Sequence, residues 1–477
     1  MLLAPPLTRL RLRADARRLV VPAIAVAGLG LALGASIWLV AAAAHGPSVL
    51  SPPTRRGLPQ SWLYGPLHGL LPHLSGSIPR LEADLDIALL VLCLGWLIAW
   101  AAAPALATRG VAAVVAAAQG VFVLGPPQPI TDMFNYVVYA RMAVRGLNPY
   151  THVPAVDPTG TAYTLSNWHH LPSPYGPLFT LASEPLAALP LPIAFWVWKV
   201  VVLMSMLAIL ALVWWLAVRF GRSPQRALVF AGLCPVTLAI GVGGFHNDFP
   251  PVLAVLAAAA CLVRARDAGA RGARWEGAAG ALVVIAAGLK PPFALAVPLI
   301  VLGAHRRPAA LLGAAVAGAA VGLVVLVAFD GILPAVGTQS ALVTPLSIPN
   351  LAGLAAGHGG ADAVVRQVAR DALIVVTVVS WALVAWRRQW AIPALGVVLL
   401  CSVFALSWTM PWYLAWALPF AAVARPRVLT PLAVTTCVWL GVAGAPVMPH
   451  LIHSLGYFPT RHETGKANHL YVRQLLR

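Results

Sequence analysis

Long apolar segments recur along the whole chain of 477 residues and alternate with short loops that contain arginine, proline or glycine. A segment of about 20 apolar residues crosses the hydrocarbon core of a bilayer as a helix, because a helix satisfies its own backbone hydrogen bonds. A transmembrane β-barrel would instead show short alternating segments. The pattern therefore predicts an all-α polytopic membrane protein. The predicted spans, about thirteen, cover residues 19–43, 85–106, 110–125, 194–219, 226–244, 249–264, 276–289, 292–304, 308–329, 371–387, 391–407, 411–424 and 428–446.

One further apolar segment, residues 175–190, decides the topology. Pro177, Glu184, Pro185 and Pro190 interrupt it, and prolines inside a helix remove backbone hydrogen bonds. We therefore expect a half-inserted or interfacial helix here rather than a full span. A full span would turn every later arginine-containing loop to the other side of the membrane.

Composition and charge support this topology. The chain is 60% apolar and only 10% charged, with a net charge of +18, and basic loops stay on the cytoplasmic side. With the N-terminus inside, 19 of the 32 basic residues but only three of the 14 acidic residues, Asp15, Asp267 and Glu276, lie inside. These inner basic residues form a collar that faces anionic lipid. The positive net charge is therefore explained mainly by the membrane and not by a nucleic-acid-binding surface. The inner basic residues are Arg9, Arg11, Arg13, Arg17, Arg18, Arg109, Arg219, Arg222, Arg226, Arg264, Arg266, Arg271, Arg274, Arg306, Arg307, Arg387, Arg388, Arg425 and Arg427.

The same topology predicts a single transmembrane domain, residues 1–477, in the cytoplasmic membrane. Its parts are a basic cytoplasmic N-terminus at 1–18, an outer catalytic loop with interfacial helices at 126–193, an outer loop at 330–370 and an outer C-terminal tail at 447–477. All five cysteines lie within apolar segments without a Cys-x-x-Cys pair, which favours neither a disulfide framework nor a zinc site.

Polar and aromatic residues collect on the predicted outer face. The segment Ile130-Thr-Asp-Met-Phe-Asn-Tyr136 places Asp132 just beyond a long apolar helix, where a carboxylate can meet water and a lipid head group. A fixed carboxylate there can accept the proton of an attacking hydroxyl group. Lysine, imidazole and helix N-termini can stabilise a leaving phosphate, and aromatic rings can stack on sugars at the interface. The set therefore favours transfer of a sugar from a lipid phosphate.

The order of these motifs resembles that in the actinobacterial polyprenol-phosphomannose-dependent α-1,6-mannosyltransferases, which belong to the GT-C membrane glycosyltransferases. The resemblance spans about residues 110–425. The motifs that carry it are Asp132 with Tyr136, Gly-Leu-Asn-Pro-Tyr at 146–150, Ser-Pro-Tyr-Gly-Pro-Leu at 173–178, Gly-Gly-Phe-His-Asn-Asp at 243–248, Lys-Pro-Pro at 290–292 and Pro-Trp-Tyr-Leu-Ala-Trp at 411–416.

The resemblance implies an inverting transfer of mannose from polyprenyl-phosphate-mannose to a lipid-anchored mannan acceptor of the lipomannan or lipoarabinomannan type, outside the membrane. It implies Asp132 as the catalytic base. The Asp84-Leu-Asp86 pair is too short and common a motif to indicate a metal site, so we expect no required metal and no other cofactor. The implied donor-binding residues are Tyr136, His246, Asn247, Asp248, Lys290, Trp412 and Tyr413, and the implied acceptor-binding residues are Asn148, Tyr150, Trp168 and Tyr175.

Several alternatives stay open on the sequence alone. Asp248 rivals Asp132 as the base, Asp132 could cap the stretch Met133 to Arg145, and Lys290 could reach towards the interface without binding a ligand. Glu82, Asp84 and Asp86 could cap the second span rather than act. Arabinose or glucose donors would use similar residues, and a flippase for polyprenol-linked glycans is the rival class. The near absence of ionisable residues inside the spans disfavours that class.

Overall fold

The computed structural model describes residues 6–44, 61–71, 77–128, 132–334, 336–424 and 428–476. Ile130 and Thr131 of the first motif, and Arg425 and Arg427 of the predicted inner collar, lie outside these residues. Within them every regular element is helical, as the apolar pattern predicts.

The α-helices follow one another in chain order. They are α1 Pro6–Ala44, α2 Ile78–Ala102, α3 Thr108–Leu124, α4 Asp132–Val144, α5 Gly160–Leu165, α6 Pro177–Ala187, α7 Leu191–Arg219, α8 Pro224–Gly232, α9 Phe249–Asp267, α10 Gly272–Leu289, α11 Ala296–Gly303, α12 Arg307–Ala328, α13 Val336–Ser340, α14 Ile348–Ala355, α15 Ala363–Trp386, α16 Ala391–Ala405, α17 Leu418–Val423, α18 Leu429–Ala443, α19 Met448–Ser454 and α20 Glu463–Leu476. A π-helix, Val236–Val242, separates α8 from α9.

Short 3-10 helices link several of these elements. They lie at Ser61–Tyr64, Ala103–Ala105, Pro154–Val156, Gly269–Arg271, Pro291–Leu295, Arg388–Trp390, Pro411–Trp416 and Pro459–Arg461. Most contain proline in the first turn, where the missing N–H is not needed, so proline starts the turn and also ends the helix before it.

Seven helices in the described residues are long and apolar enough to cross a membrane, or up to nine if two bent pairs each count as one span. The protein is thus a membrane protein of several spans, but the count of about thirteen is not confirmed. The pairs are α8 with the π-helix, bent by 49°, and α18 with α19, bent by 83°. Two further apolar elements, Thr108–Leu124 and Pro291–Gly303, are shorter. Proline and glycine divide several predicted spans into short pieces.

The segment predicted as an interfacial or half-inserted helix forms α6, which has 11 residues. It packs against α4 and α10 and is not among the helices that could cross a membrane. Helices α10 and α12 pack closely because Gly280 and Gly313 carry no Cβ, and a Cβ at either would meet the backbone of the other helix.

The helix termini sort into two ends of the bundle. Helix α9 starts beside Asp248 and extends for 19 residues, a rise of about 28 Å, to Asp267. There Asp267 pairs with Arg219. Glu276 lies on the next helix, α10, and accepts hydrogen bonds from the backbone N–H groups of His305 and Arg306. At the opposite end, where α9 starts, the start of α4, the end of α10 and the start of α15 all meet at one cavity.

Candidate active site

A cavity of about 740 Å³ lies where the ends of α4, α10, α15 and α16 converge with the 3-10 helix Pro411–Trp416. Its wall is mostly apolar, with a few polar groups that face one another. This combination is typical of sites that bind a small or amphiphilic ligand. The polar and aromatic side chains of the wall include Asp132, Asn167, Trp168, Tyr175, Asn247, Lys290, Gln339, Ser340, Arg366, Arg370, Ser407, Trp408, Trp412, Tyr413 and Trp416.

Asp132 opens α4 and faces this cavity with 15% of its side chain exposed. Its Oδ2 lies 3.2 Å from Nδ1 of His246, whose side chain is fully buried. The imidazole stacks on the Trp412 ring, with 3.6 Å between ring centroids and 8° between planes. The stack fixes the plane of the imidazole, and the imidazole in turn holds one oxygen of the carboxylate.

The turn that carries His246 has an unusual backbone. The π-helix before it, Val236–Val242, is a conformation found often at functional sites. Phe245 then adopts a left-handed φ of 55°, which costs a side-chain-bearing residue free energy and is maintained only by the surrounding structure. Trp198 supports it, since its Nε1 donates a 2.7 Å hydrogen bond to the Phe245 carbonyl. A Cβ at Gly244 would come within 2.5 Å of the His246 ring, so glycine there lets the imidazole fold back towards Asp132.

Tyr136 lies one turn after Asp132 on α4 and binds the same turn from behind. The backbone N–H of Asn247 donates a 3.0 Å hydrogen bond to the Tyr136 hydroxyl oxygen. Burial raises the pKa of Tyr136 well above its ordinary value, so the phenol stays neutral. This contact links the helix that carries Asp132 to the turn that carries His246.

Lys290 and Asp248 form a second polar unit beside the first. The Nζ of Lys290 lies 2.6 Å from Oδ1 of Asp248 and 3.1 Å from Oδ1 of Asn247. Asp248 is only 1% exposed, and the same oxygen accepts the indole N–H of Trp416. Lys290 also lies over the rings of Tyr413 and Trp416, 5.2 and 5.6 Å from their centroids. The charge of Asp248 is therefore balanced by Lys290, whereas Asp132 lies beside an imidazole and faces the open cavity.

The amide of Asn247 has an unused donor. Its Nδ2 is buried and has no partner among the residues that the structure describes, as is true of Nε2 of His246 and Oδ2 of Asp248. An unsatisfied buried polar group costs free energy. Since Asn247 also lines the cavity, its free N–H can be satisfied by a ligand oxygen there.

The sequence-predicted site residues fall into three positions. The cavity wall contains Asp132, Asn247, Lys290, Trp168, Tyr175, Trp412 and Tyr413. Tyr136, His246 and Asp248 lie buried directly behind that wall.

Asn148 and Tyr150 lie away from the cavity wall and hold the loop together. The Nδ2 of Asn148 donates to the Phe329 carbonyl at 2.9 Å, and its Oδ1 accepts the Tyr150 N–H. The Tyr150 hydroxyl makes 3.0 Å hydrogen bonds to the Tyr175 carbonyl and to Oγ1 of Thr180. Their direct contacts are to the chain itself, so they support the position of Tyr175.

The acidic residues near the start of the second predicted span lie inside α2 rather than before it. Oδ2 of Asp86 accepts the Val447 N–H at 3.0 Å. Glu82 lines a separate cavity of about 450 Å³, so these carboxylates do not face Asp132.

Several cavity residues were not singled out from the sequence. Arg366 and Arg370 come from the first turns of α15, and Val472 and Leu476 come from α20. The C-terminal helix docks through Asn468, whose Oδ1 accepts the Val343 N–H at 2.8 Å. The one available sequence signal was the pair of arginines four residues apart at the start of an apolar helix.

Comparison with known proteins gives this geometry a context. Residues 39–306, more than half of the chain, match the family model for the N-terminal domain of alpha-(1->6)-mannopyranosyltransferases. The chain belongs to this family. The resemblance inferred from the motifs is thus confirmed, and the matched region includes Asp132, His246, Asp248 and Lys290.

Individual mannopyranosyltransferases of actinobacteria are similar to the chain at lower identity. A probable alpha-(1->6)-mannopyranosyltransferase of Mycolicibacterium smegmatis is 27% identical over 64% of this chain and 63% of its own length. The alpha-(1->6)-mannopyranosyltransferase A of Corynebacterium glutamicum is 24% identical over 64% of this chain and 69% of its own. The protein of that name in Mycobacterium tuberculosis is 26% identical over 69% and 68%. The chain thus spans less than two thirds of the Mycolicibacterium relative. No solved structure matches the chain.

Proposed function

We propose that the protein is an inverting mannosyltransferase. It would move mannose from polyprenyl-phosphate-mannose to a lipid-anchored mannan and form an α-1,6 bond. Membership of the mannopyranosyltransferase family and the names of its relatives support mannosyl transfer. The cavity supports a donor that is part lipid and part sugar phosphate, because its wall joins apolar residues to a carboxylate and cations.

In this reaction the 6-hydroxyl oxygen of the acceptor attacks the anomeric carbon of mannose. The bond from that carbon to the phosphate oxygen breaks, and its electron pair leaves with the polyprenyl phosphate. The hydroxyl proton goes to Asp132 and is then released to water. A positioned base of this kind contributes about 10² to 10⁴ in rate.

The observation that carries the proposal is the different surroundings of the two carboxylates. Asp248 is buried against Lys290 and Trp416, so it cannot meet an acceptor hydroxyl. Asp132 opens into the cavity and is oriented by His246. Different environments of two carboxylates are a guide to their roles, and here they support Asp132 as the base and Asp248 as a positioning residue.

The aromatic wall suits a sugar. Trp168, Tyr175, Trp412 and Tyr413 line the cavity with Asp132, and the hydrophobic face of a pyranose packs on such rings. Lys290 and Asn247 then supply N–H donors to hydroxyl or phosphate oxygens. Because cationic side chains are present to stabilise the leaving phosphate, we propose that no metal ion is required.

We further propose a GT-C type fold, with the site on the outer face of the cytoplasmic membrane and the N-terminus inside. The arginine-rich loops support this orientation. A short soluble mannoside acceptor would then reach the site only from outside.

Radiolabel transfer from polyprenyl-phosphate-mannose to a synthetic α-1,6-mannoside tests the function directly. The assay compares wild type, Asp132→Asn and Asp248→Asn in detergent, with and without a chelator. We expect product from wild type with or without chelator, and a loss of about 10² to 10⁴ in turnover for Asp132→Asn without a change in the melting temperature. Near-normal turnover by a folded Asp132→Asn would remove Asp132 from this role. Absence of product from wild type would reject this donor and acceptor pair.

A further inference from the structure

Two arginines on α15 face the same cavity as Asp132. Ala363, Arg366, Arg370 and Leu373 all line it. Their spacing of three, four and three residues puts them on one face of the helix. The face therefore presents two guanidinium groups at its start and an apolar side chain less than one turn further along.

Neither arginine has an acidic partner in the part of the chain that the structure describes. Among the residues that the structure describes, no carboxylate lies within 4.0 Å of either guanidinium. Arg366 donates to the Ala361 carbonyl at 2.9 Å, and Arg370 donates to the amide oxygen of Gln367. Both acceptors are neutral.

Lys290 differs in this respect, because Asp248 already balances its charge at 2.6 Å. The pair is close to neutral overall, so it offers little net positive charge to stabilise a leaving phosphate. Among the described residues of this wall, the positive charges without a carboxylate partner are those of Arg366 and Arg370. A guanidinium group also presents paired N–H donors that match two phosphate oxygens at once.

The surroundings of the two arginines suit an amphiphile. Only 17% of the most apolar stretch of α15 is buried inside the protein, so most of that stretch is exposed on the outside of the bundle, where the apolar side chains of a membrane protein meet lipid. The wall of the same cavity also includes the apolar residues Val336, Leu373, Leu406 and Leu476. A prenyl chain can therefore follow the apolar wall while its phosphate stays near the arginines.

We propose that Arg366 and Arg370 bind the phosphate of a polyprenyl phosphate at the mouth of the cavity. This inference rests on the proposed function, since it names the residues that hold the donor and the departing product. The pair stabilises the phosphate as the anomeric bond breaks and retains the negative charge close to Lys290. Lys290 then acts on the sugar side of the phosphate, next to Asn247.

Binding of polyprenyl phosphate without a sugar tests the proposal separately from catalysis. The purified full chain in nanodiscs of neutral lipid is titrated with polyprenyl phosphate, and binding is followed by tryptophan fluorescence. We expect Arg370→Gln to raise the Kd several-fold and the double variant Arg366→Gln with Arg370→Gln to raise it at least tenfold. Arg387→Gln, at the far end of the same helix, should leave the Kd unchanged.

Three further ligands show which chemical groups the site recognises. Uncharged polyprenol should bind more weakly to wild type and equally to all variants. Inorganic phosphate should compete only at far higher concentration, and phosphatidylglycerol should compete weakly, because neither joins a phosphate to a prenyl chain. Equal competition by phosphatidylglycerol would show a general anionic-lipid site and overturn the assignment.

An unchanged Kd in a folded Arg370→Gln and in a folded double variant would overturn the proposal. Arg370 is exposed and, within the described residues, bonds only to Gln367, so its single variant is expected to fold even if the double variant does not. Arginine-dependent binding of polyprenyl phosphate with no mannose transfer would support this inference while the proposed function fails.

Discussion

The Nζ of Lys290 lies 2.6 Å from Oδ1 of Asp248, in a pair whose carboxylate is 1% exposed and whose lysine is 13% exposed. Loss of one partner leaves the other buried without its counter-charge, which costs about 3 to 5 kcal/mol. We therefore expect Lys290→Gln and Asp248→Asn each to lower the melting temperature of the detergent-solubilised protein by several degrees.

The double variant Lys290→Gln with Asp248→Asn completes this thermodynamic cycle. It should melt above the value obtained by adding the two single effects, because neither buried group is then charged. Intrinsic fluorescence during a thermal ramp measures all four proteins. Strict additivity would mean that the two side chains do not interact in the folded protein.

His246 connects the base to the aromatic wall. We expect His246→Phe to keep the stack on Trp412 but to lose the contact to Asp132. A base released from its position loses about 10²-fold in turnover, so kcat should fall while KM for the donor changes little. Steady-state kinetics with labelled donor measures both constants. A lower affinity with unchanged kcat would instead assign His246 to donor binding.

The sequence was sufficient for the helical class, the family and seven residues of the cavity wall. Asp132, Lys290 and Trp412 could be selected because each interrupts or ends an apolar segment, where a polar or aromatic group needs a reason. The interfacial helix at 175–190 was predicted from its prolines, and α6 lies there.

The pairing within the site could not be read from the sequence. Asp248 and Lys290 are 42 residues apart, so only tertiary packing shows that Lys290 neutralises Asp248 and leaves Asp132 to face the cavity. Arginines near a helix end are ordinary in a sequence, and only the folded chain shows that Arg366 and Arg370 line the same cavity as Asp132. The span count is not confirmed for a local reason, since Pro291 and Pro411 begin 3-10 helices at or next to the starts of two predicted spans and so shorten the α-helices there.

The close contact of α10 with α12 can be tested with a matched pair of glycines on α12. A Cβ at Gly313 would clash with the backbone of Gly277, whereas a Cβ at Gly318 meets nothing within 4 Å. Overpacking of this kind costs about 1 to 3 kcal/mol. We expect Gly313→Ala to lower the melting temperature and Gly318→Ala to leave it unchanged or raise it slightly, because alanine is the better helix former. Equal effects at the two positions would contradict the packing described.

Tyr150 predicts a dependence of stability on alkaline pH. Burial raises the pKa of its phenol, whereas in the unfolded chain the same group ionises near pH 10. Its contribution is therefore fully present below about pH 10 and is lost as the pH rises towards the folded pKa, because the unfolded state then binds fewer protons. One such group contributes a slope of about 1.4 kcal/mol per pH unit.

Tyr150→Phe removes that contribution along with the hydrogen bonds to Tyr175 and Thr180. We expect the variant to be less stable by about 0.5 to 1.5 kcal/mol at neutral pH and to lose stability less steeply than wild type above pH 10. Thermal melts between pH 7 and pH 11 measure both effects, and parallel curves for the two proteins would show that Tyr150 is not buried as a neutral donor.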